Sequence, residues 1–562
     1  MKHFLFACIL SICMNACSYG QDRSNTWGRP IVNRNTEIAF RKINTVLLAI
    51  DNLYVDTVDV NKLADNAIIE LLEQLDPHSS FLTAEEVKEM NEPLQGNFDG
   101  IGIQFNMVTD TLYVVQVIPG GPSEKVGVLA GDKIIYVDDI LIAGVKMRDK
   151  DVVSKLKGPK GTTVNIKILR RGDPGLLDFK IIRDKIPVFS IFANYMIDKK
   201  TGYIKIGRFA QTTTQEFKDA LTKLQGQGME NLILDLQNNG GGILQAAVEL
   251  SNEFLKQGSL IVYTEGLNHK REDFHSTSNG IFKNGRLVVL VDEFSASASE
   301  IFSGAVQDWD RGVIVGRRTF GKGMVQRPIP LPDGSMIRLT TAYYYTPTGR
   351  SIQKPFVRGD LKSYQRDLKE RDNRGEFISA DSIHFSDSLK YNTLTKNRIV
   401  YGGGGIMPDC FVAFDTTSII YVGQTTTLYR ELYFGGVIYR YTRNIIEENR
   451  SKYKQQYPAF ESFRKNFTVT DNMINDMMEI YKKEKAEELK VEKYQLTEDQ
   501  LKDLEKSKPW IFQEIKMKIV SEVYGENEYY LLWNSMLNTY QKAVEIISNE
   551  AEYNKYLSQN RK

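Results

Sequence analysis

The spacing of apolar and polar positions divides the chain into stretches of different period. From residue 35 to about 94, Ile38, Phe40, Ile43, Val46, Leu47 and Ile50, then Ile68, Leu71, Leu72 and Leu75, recur at helical spacing around a polar turn at 56–61. That pattern stops at Leu75-Asp76-Pro77-His78-Ser79-Ser80, where turn chemistry takes over and His78 reads as a hydrogen-bonded turn residue. A strand is predicted at 112–117. Strand patterns at 202–206 and 231–236 each lead to a helix: the first at 213–225 through a Thr213/Glu216 capping box, the second at 243–255 after three glycines, Gly240, Gly241 and Gly242. The layout returns at 287–291, an apolar run with the length and β-branched content of a buried strand. It ends in the polar turn Asp292-Glu293-Phe294, and Ala298, Ile301, Phe302, Ala305, Val306 and Trp309 then recur as one face of a helix. Further strands are predicted at 312–315 and around 336–345. Residues 356–401 are polar and charge-mixed and read as an insertion or surface excursion. Beyond 416, Lys-, Glu- and Tyr-rich stretches with Ile474, Met477, Met478, Ile480 and Tyr481 at helical spacing predict a separate helical region.

With 562 residues the chain is too long for one core and divides into several domains. Its 72 basic and 71 acidic residues leave no bulk charge to draw it to nucleic acid or an anionic membrane. Residues 1–20 have the form of an export signal: Lys2 and His3, an apolar stretch at 4–14, then small and polar residues. Cleavage after Gly20 gives a chain starting at Gln21. The alternative is a loose lipobox at 14–17, with Cys17 lipidated and attached to the membrane. Cys8, Cys13 and Cys17 lie in or beside the signal, which leaves Cys410 alone and excludes an intramolecular disulfide framework and a cysteine-based zinc site.

The candidate chemistry lies between 287 and 326. Serines 295, 297 and 299 alternate, and Ser297 falls where the strand hands over to the helix. A serine hydroxyl is a weak nucleophile and needs a base. His3, His78, His269, His275 and His384 all lie outside this segment, but Lys322, between Gly321 and Gly323, serves if burial lowers its pKa. Gln326 stands four residues on. The plainer alternative makes the serines helix caps and Lys322 a solvated surface residue. Likewise Gly240–Gly242 suit backbone N–H groups converging on an oxyanion, or a tight turn needed only for helix packing.

The pattern S-A-S-A-S-E followed by T-F-G-K-G-x-V-Q resembles the catalytic core of the carboxy-terminal processing (tail-specific) proteases. The resemblance implies that Ser297 is the nucleophile, Lys322 the general base and Gln326 the residue that positions the lysine. It extends to residues 235–242, where the Gly241 N–H, with that of Ala298, would form the oxyanion hole and Gln237 stands in place of the more usual arginine. Thr346-Pro347-Thr348-Gly349-Arg350-Ser351-Ile352 and the Gly402–Asp409 stretch fit as well. Residues 97–184 resemble a PDZ domain: Gly100-Ile101-Gly102-Ile103 matches the carboxylate-binding loop, supported by residues 120–127 and Gly131-Asp132-Lys133-Ile134. The resemblance spans roughly 35–412.

It implies an α+β multidomain fold: N-terminal helices at 35–96, a PDZ domain at 97–184, a crotonase/ClpP-like α/β protease core at 185–415, and a helical region at 416–562. The expected function is that of an exported serine endopeptidase of the periplasm or cell envelope. It would cleave polypeptides with free C-termini through an acyl-enzyme, without cofactor or metal. One rival is a PDZ scaffold whose core is inactive or activated by a partner; a non-peptidase acyl hydrolase is the other. The C-terminal helices read as solvated, with a homo-oligomer or adaptor interface as second reading.

Overall fold

The computed structural model describes residues 34–108, 110–170, 172–277, 280–415 and 425–558. The expected export signal at 1–20, with Cys17, lies outside them. The chain separates into two compact units, 1–71 and 72–562. In the first, helix Arg34–Leu53 carries its apolar residues on an exposed face, with Phe40 69% and Val46 56% exposed.

Within the second unit, Asn97–Gly100 pairs with Asp184–Pro187 and so closes the ends of the PDZ-like module onto each other. Between them lies a sheet ordered Ile103–Val108, Thr111–Val117, Lys133–Val137, Thr163–Leu169, Leu176–Ile182, with Ile103–Val108 at an edge. Its core is built from Leu112, Val114, Ile134, Val164, Ile166 and Ile168.

The central sheet has six strands, in the order Ile191–Met196, Thr201–Ile206, Asn231–Asp235, Leu287–Val291, Val313–Gly316, Cys410–Phe411. All adjacent pairs but the first are parallel. A parallel sheet is covered on both faces, which explains why Asn231–Asp235 and Leu287–Val291 are buried at every position rather than at alternate ones. Leu232, Leu234, Val289 and Val291 face helices Thr213–Gly226, Leu244–Asn252 and Ala298–Asp308. Ile233, Val288 and Leu290 point the other way. They pack under Tyr540, Ala543, Ile546, Ile547, Tyr553 and Leu557, which belong to the last two helices, Asn538–Ser548 and Glu550–Ser558. The described residues of the C-terminal region, 425–558, are therefore largely helical, but not one separate region. The helices up to Asn534 form a bundle with its own core, and the final two complete the central sheet. Tyr553 Oη fastens them by donating to Leu287 O at 3.2 Å and accepting from Leu287 N–H at 3.1 Å.

A second sheet pairs Met336–Tyr345 with Ser80–Leu82, Leu260–Gly266 and Met324–Pro330. It thereby brings the turn at 76–79 to the strand that follows Lys322. Two local expectations are corrected. Glu216 does not close a capping box. Its carboxylate accepts instead from the N–H groups of Ser190 (2.7 Å) and Ile191 (3.0 Å), which fixes the entry to the first core strand. Nor is 356–401 a surface excursion. It carries helix Leu361–Asn373, whose Tyr364 and Arg371 are buried against the core.

Candidate active site

Three serines precede helix Ala298–Asp308, and their hydroxyls have different employment. Ser295 Oγ donates to Leu236 O at 2.8 Å and Ser299 Oγ to Asn239 O at 2.8 Å. The outer two thus fasten this turn to the neighbouring turn at 236–239. Ser297 lies between them, half-buried, at φ 57° and ψ −114°. A non-glycine residue at such a φ is strained, and strain of this kind is held in place only by surrounding contacts. Gly241 supplies part of the closeness. At φ 99° it has no side chain where a methyl group would lie 2.7 Å from Ala296 O and 2.8 Å from Ser297 Cβ. The two strand–turn–helix units therefore meet backbone to backbone.

Sequence reasoning did not single out the group that joins this turn to the lysine loop. Glu300, three residues after Ser297, is fully buried, and its carboxylate accepts four hydrogen bonds. Oε2 takes the N–H of Ser297 (2.8 Å) and of Lys322 (2.8 Å). Oε1 takes the N–H of Gly321 (2.7 Å) and the hydroxyl of Thr319 (2.5 Å). Burial pushes the carboxyl up to about 7, against the pull of those donors. Tyr344 Oη makes a second link, donating to Ser297 O at 3.2 Å and to Lys322 O. The sequence carries little signal for it: Glu300 lies on the helix face of Ser303, Gly304 and Gln307, opposite Ala298, Ile301, Phe302 and Ala305, so apolar periodicity does not register its burial.

Lys322 itself is half-buried, and burial first, then the nearby charge of Arg338, lowers its amine to about 8; Glu300 and Asp76 oppose the shift. That is the range in which an amine can accept a proton near neutral pH. Gln326 is placed on strand Met324–Pro330, but its amide donates to Met324 O (3.2 Å) and Thr340 Oγ1 (3.4 Å), and Thr340 Oγ1 donates to Asp76 (2.9 Å). The Gly241 N–H is likewise engaged, donating to Asn239 Oδ1 at 2.9 Å. Ala298 opens its helix, so geometry leaves its N–H without an intrahelical acceptor. Gln237 occupies the position expected to carry arginine, and a cation is supplied from the adjacent strand instead. Lys205 Nζ donates to Gln237 O at 2.6 Å and pairs with Asp235 at 3.1 Å. His78, read as a turn residue, has Nε2 2.8 Å from Tyr364 Oη, and its pKa is lowered to about 3 by burial and by the charge of Lys322.

In the PDZ-like module, Gly100 ends a strand and Ile103 begins the edge strand. Between them the N–H groups of Ile101 and Gly102 have no protein acceptor among the described residues, while the Ile101 carbonyl is held by Ser123 (N–H 3.0 Å, Oγ 2.6 Å). Two free donors beside an open strand edge suit a terminal carboxylate and an added strand. Among the described residues no cluster of three or more His, Cys, Asp or Glu is placed to hold a metal ion, and no helix is long and apolar enough to cross a membrane.

Comparison with known proteins identifies the family. Residues 200–363 match the model of peptidase family S41, residues 100–181 that of a PDZ domain, and residues 428–525 that of a family of unknown function. A carboxy-terminal-processing protease of Bartonella bacilliformis is 36% identical over 359 residues, 61% of this chain and 81% of that protein. A probable CtpA-like serine protease of Staphylococcus aureus is 34% identical over 342 residues, 59% of this chain and 67% of that one. Among solved structures, the photosystem II D1 C-terminal processing protease is 30% identical, covering 57% of this chain and 91% of its own, with a TM-score of 0.32. The chain belongs to peptidase family S41 and is a carboxy-terminal-processing peptidase with a PDZ domain.

Proposed function

We propose that the protein is an exported endopeptidase of the cell envelope that cuts polypeptides near their C-termini by a Ser297–Lys322 dyad on a crotonase-like core. The observation that supports it most is the Glu300 carboxylate, which accepts from the backbone of both residues and so holds the serine turn and the lysine loop in one frame. Ser297 Oγ attacks the scissile carbonyl while the neutral Lys322 amine takes its proton. The ammonium then returns that proton to the leaving amine, and water releases the acyl group from Ser297 by the same route in reverse. The Ala298 N–H meets the developing oxyanion. Gly241 joins it once its N–H turns from Asn239, and Gln326 orients the amine once its amide turns from Thr340, since such bonds often tighten only around bound substrate. The PDZ domain reads the free C-terminus with the Ile101 and Gly102 N–H groups and the edge of Ile103–Val108. The engaged Gly241 and Gln326 also favour a second reading, a core that rests inactive until substrate or a partner assembles it.

The test is cleavage of an unstructured reporter with an apolar C-terminal tail by residues 21–562, beside Ser297→Ala and Lys322→Ala. The dyad stands if only the wild type cuts, and carboxylate reading stands if amidating the tail slows it. Full activity in Ser297→Ala rejects the nucleophile.

A further inference from the structure

The helix Leu361–Asn373 lies in a stretch whose polarity reads as surface, yet one of its faces reaches the back of the lysine loop. Tyr364, Asp367 and Arg371 stand at i, i+3 and i+7, a single helical stripe. Arg371, 1% exposed, donates to Arg318 O at 2.7 Å and Thr319 O at 3.1 Å, the two carbonyls that lead into Phe320-Gly321-Lys322, and its Nε lies 3.2 Å from Glu376. Asp367 holds Lys354 Nζ at 2.8 Å. That ammonium sits 4.0 Å from the ring centres of both Phe320 and Tyr364, and the Lys354 N–H donates to Gly321 O at 2.9 Å. Tyr364 Oη is 2.8 Å from His78 Nε2, and the rings meet edge to face at 5.2 Å. Glu300 grips the loop from the serine side, and this stripe braces it from the opposite side.

We infer that Tyr364, Asp367 and Arg371 are positioning residues for the peptidase reaction, a brace that fixes the lysine-bearing loop 318–323 and with it the half-buried setting of Lys322. The inference rests on the dyad reading above. None of the three touches the reacting atoms; Arg371 acts through the carbonyls of Arg318 and Thr319, and Asp367 and Tyr364 through Lys354, Phe320 and His78. The groups whose charge reaches the Lys322 amine are Arg338, Glu300 and Asp76, while His78, lowered to about 3, faces it neutral, so no residue of the brace is among them. What it contributes is the position of the loop, and the burial of that loop is the factor that dominates the lowered pKa of the amine.

The experiment compares the wild type, Ser297→Ala, Tyr364→Phe and Arg371→Lys, as folded residues 21–562, on the same unstructured reporter across pH. The two conservative variants keep ring and charge, and circular dichroism confirms their folding. Expected are a fall in kcat of about ten-fold for Tyr364→Phe and up to about 100-fold for Arg371→Lys, with KM within about two-fold. The acid-side midpoint of kcat/KM is expected to move up by about one pH unit as water reaches the amine. A purely structural role would lower the melting temperature and leave kcat per folded enzyme and the pH midpoint alone, and that result overturns the brace. The earlier reading fails separately, through a wild type that does not cut or a Ser297→Ala that does.

Discussion

At the scale of single residues, the proposed dyad makes Lys322 the group that sets the pH response. An amine lowered to about 8 is a base only when it has lost its proton, so kcat/KM should rise about tenfold per pH unit up to about 8 and level off above it. A pH–rate profile on the reporter checks this, and a plateau reached already at pH 6 would remove Lys322 from the role. Glu300 offers a sharper test. Glu300→Gln keeps the shape but turns an amide NH2 toward N–H donors on one side, so it should cost about 100-fold in kcat and about 1–3 kcal/mol in stability by urea unfolding. The carboxyl is held above its unfolded value of 4.5. Its contribution to stability is therefore full below pH 4.5 and lost as pH rises through about 7, a dependence the glutamine variant should lack. Ser297 and Lys322 could be read in the sequence because the chain itself sets serine, glycine and lysine at telling intervals. Lys205 could not, because its part arises only from the parallel register that sets it beside Asp235. The preference for the middle serine also gains a cause in the structure, since its neighbours spend their hydroxyls on Leu236 and Asn239.

Strand and helix identities in the core followed from period and glycine placement, but which faces they would cover did not. The run at 287–291 looked simply buried, and nothing in it said that one face awaited residues some 250 positions later, as Val288 and Leu290 do against Ile546 and Ile547. Ile546→Ala should therefore behave as a core substitution and not as a change in a solvated tail. It should cost about 2–5 kcal/mol in urea unfolding, whereas a loss under about 0.5 kcal/mol would show that the last helices only rest on the sheet. The insertion misled for a similar reason. Its polar residues are buried through ion pairs and backbone carbonyls, which periodicity of apolar residues does not register.

Across the whole second unit, the C-terminal bundle grips the PDZ domain on its edge strand, where Asn106 donates to Tyr439 Oη, and on the strand beside it. Arg443 from helix Val437–Gln456 lies 4.4 Å over the Tyr113 ring and donates to Val114 O at 3.4 Å. Arg443→Ala should loosen this attachment, making the connection at 187–190 more sensitive to limited proteolysis while leaving turnover of a short untailed peptide unchanged. An unaltered digestion pattern would mean that the strand pair Asn97–Gly100 with Asp184–Pro187 alone fixes the domain.

The two helices that complete the central sheet come after every residue of the site. A chain leaving the ribosome exposes serine, lysine and glutamate long before residues 538–558 arrive, and until then the sheet beneath them lacks the cover of those helices. The sheet that carries the serine turn is thus closed by the last helices made, so its final stability is gained only when residues 538–558 have docked.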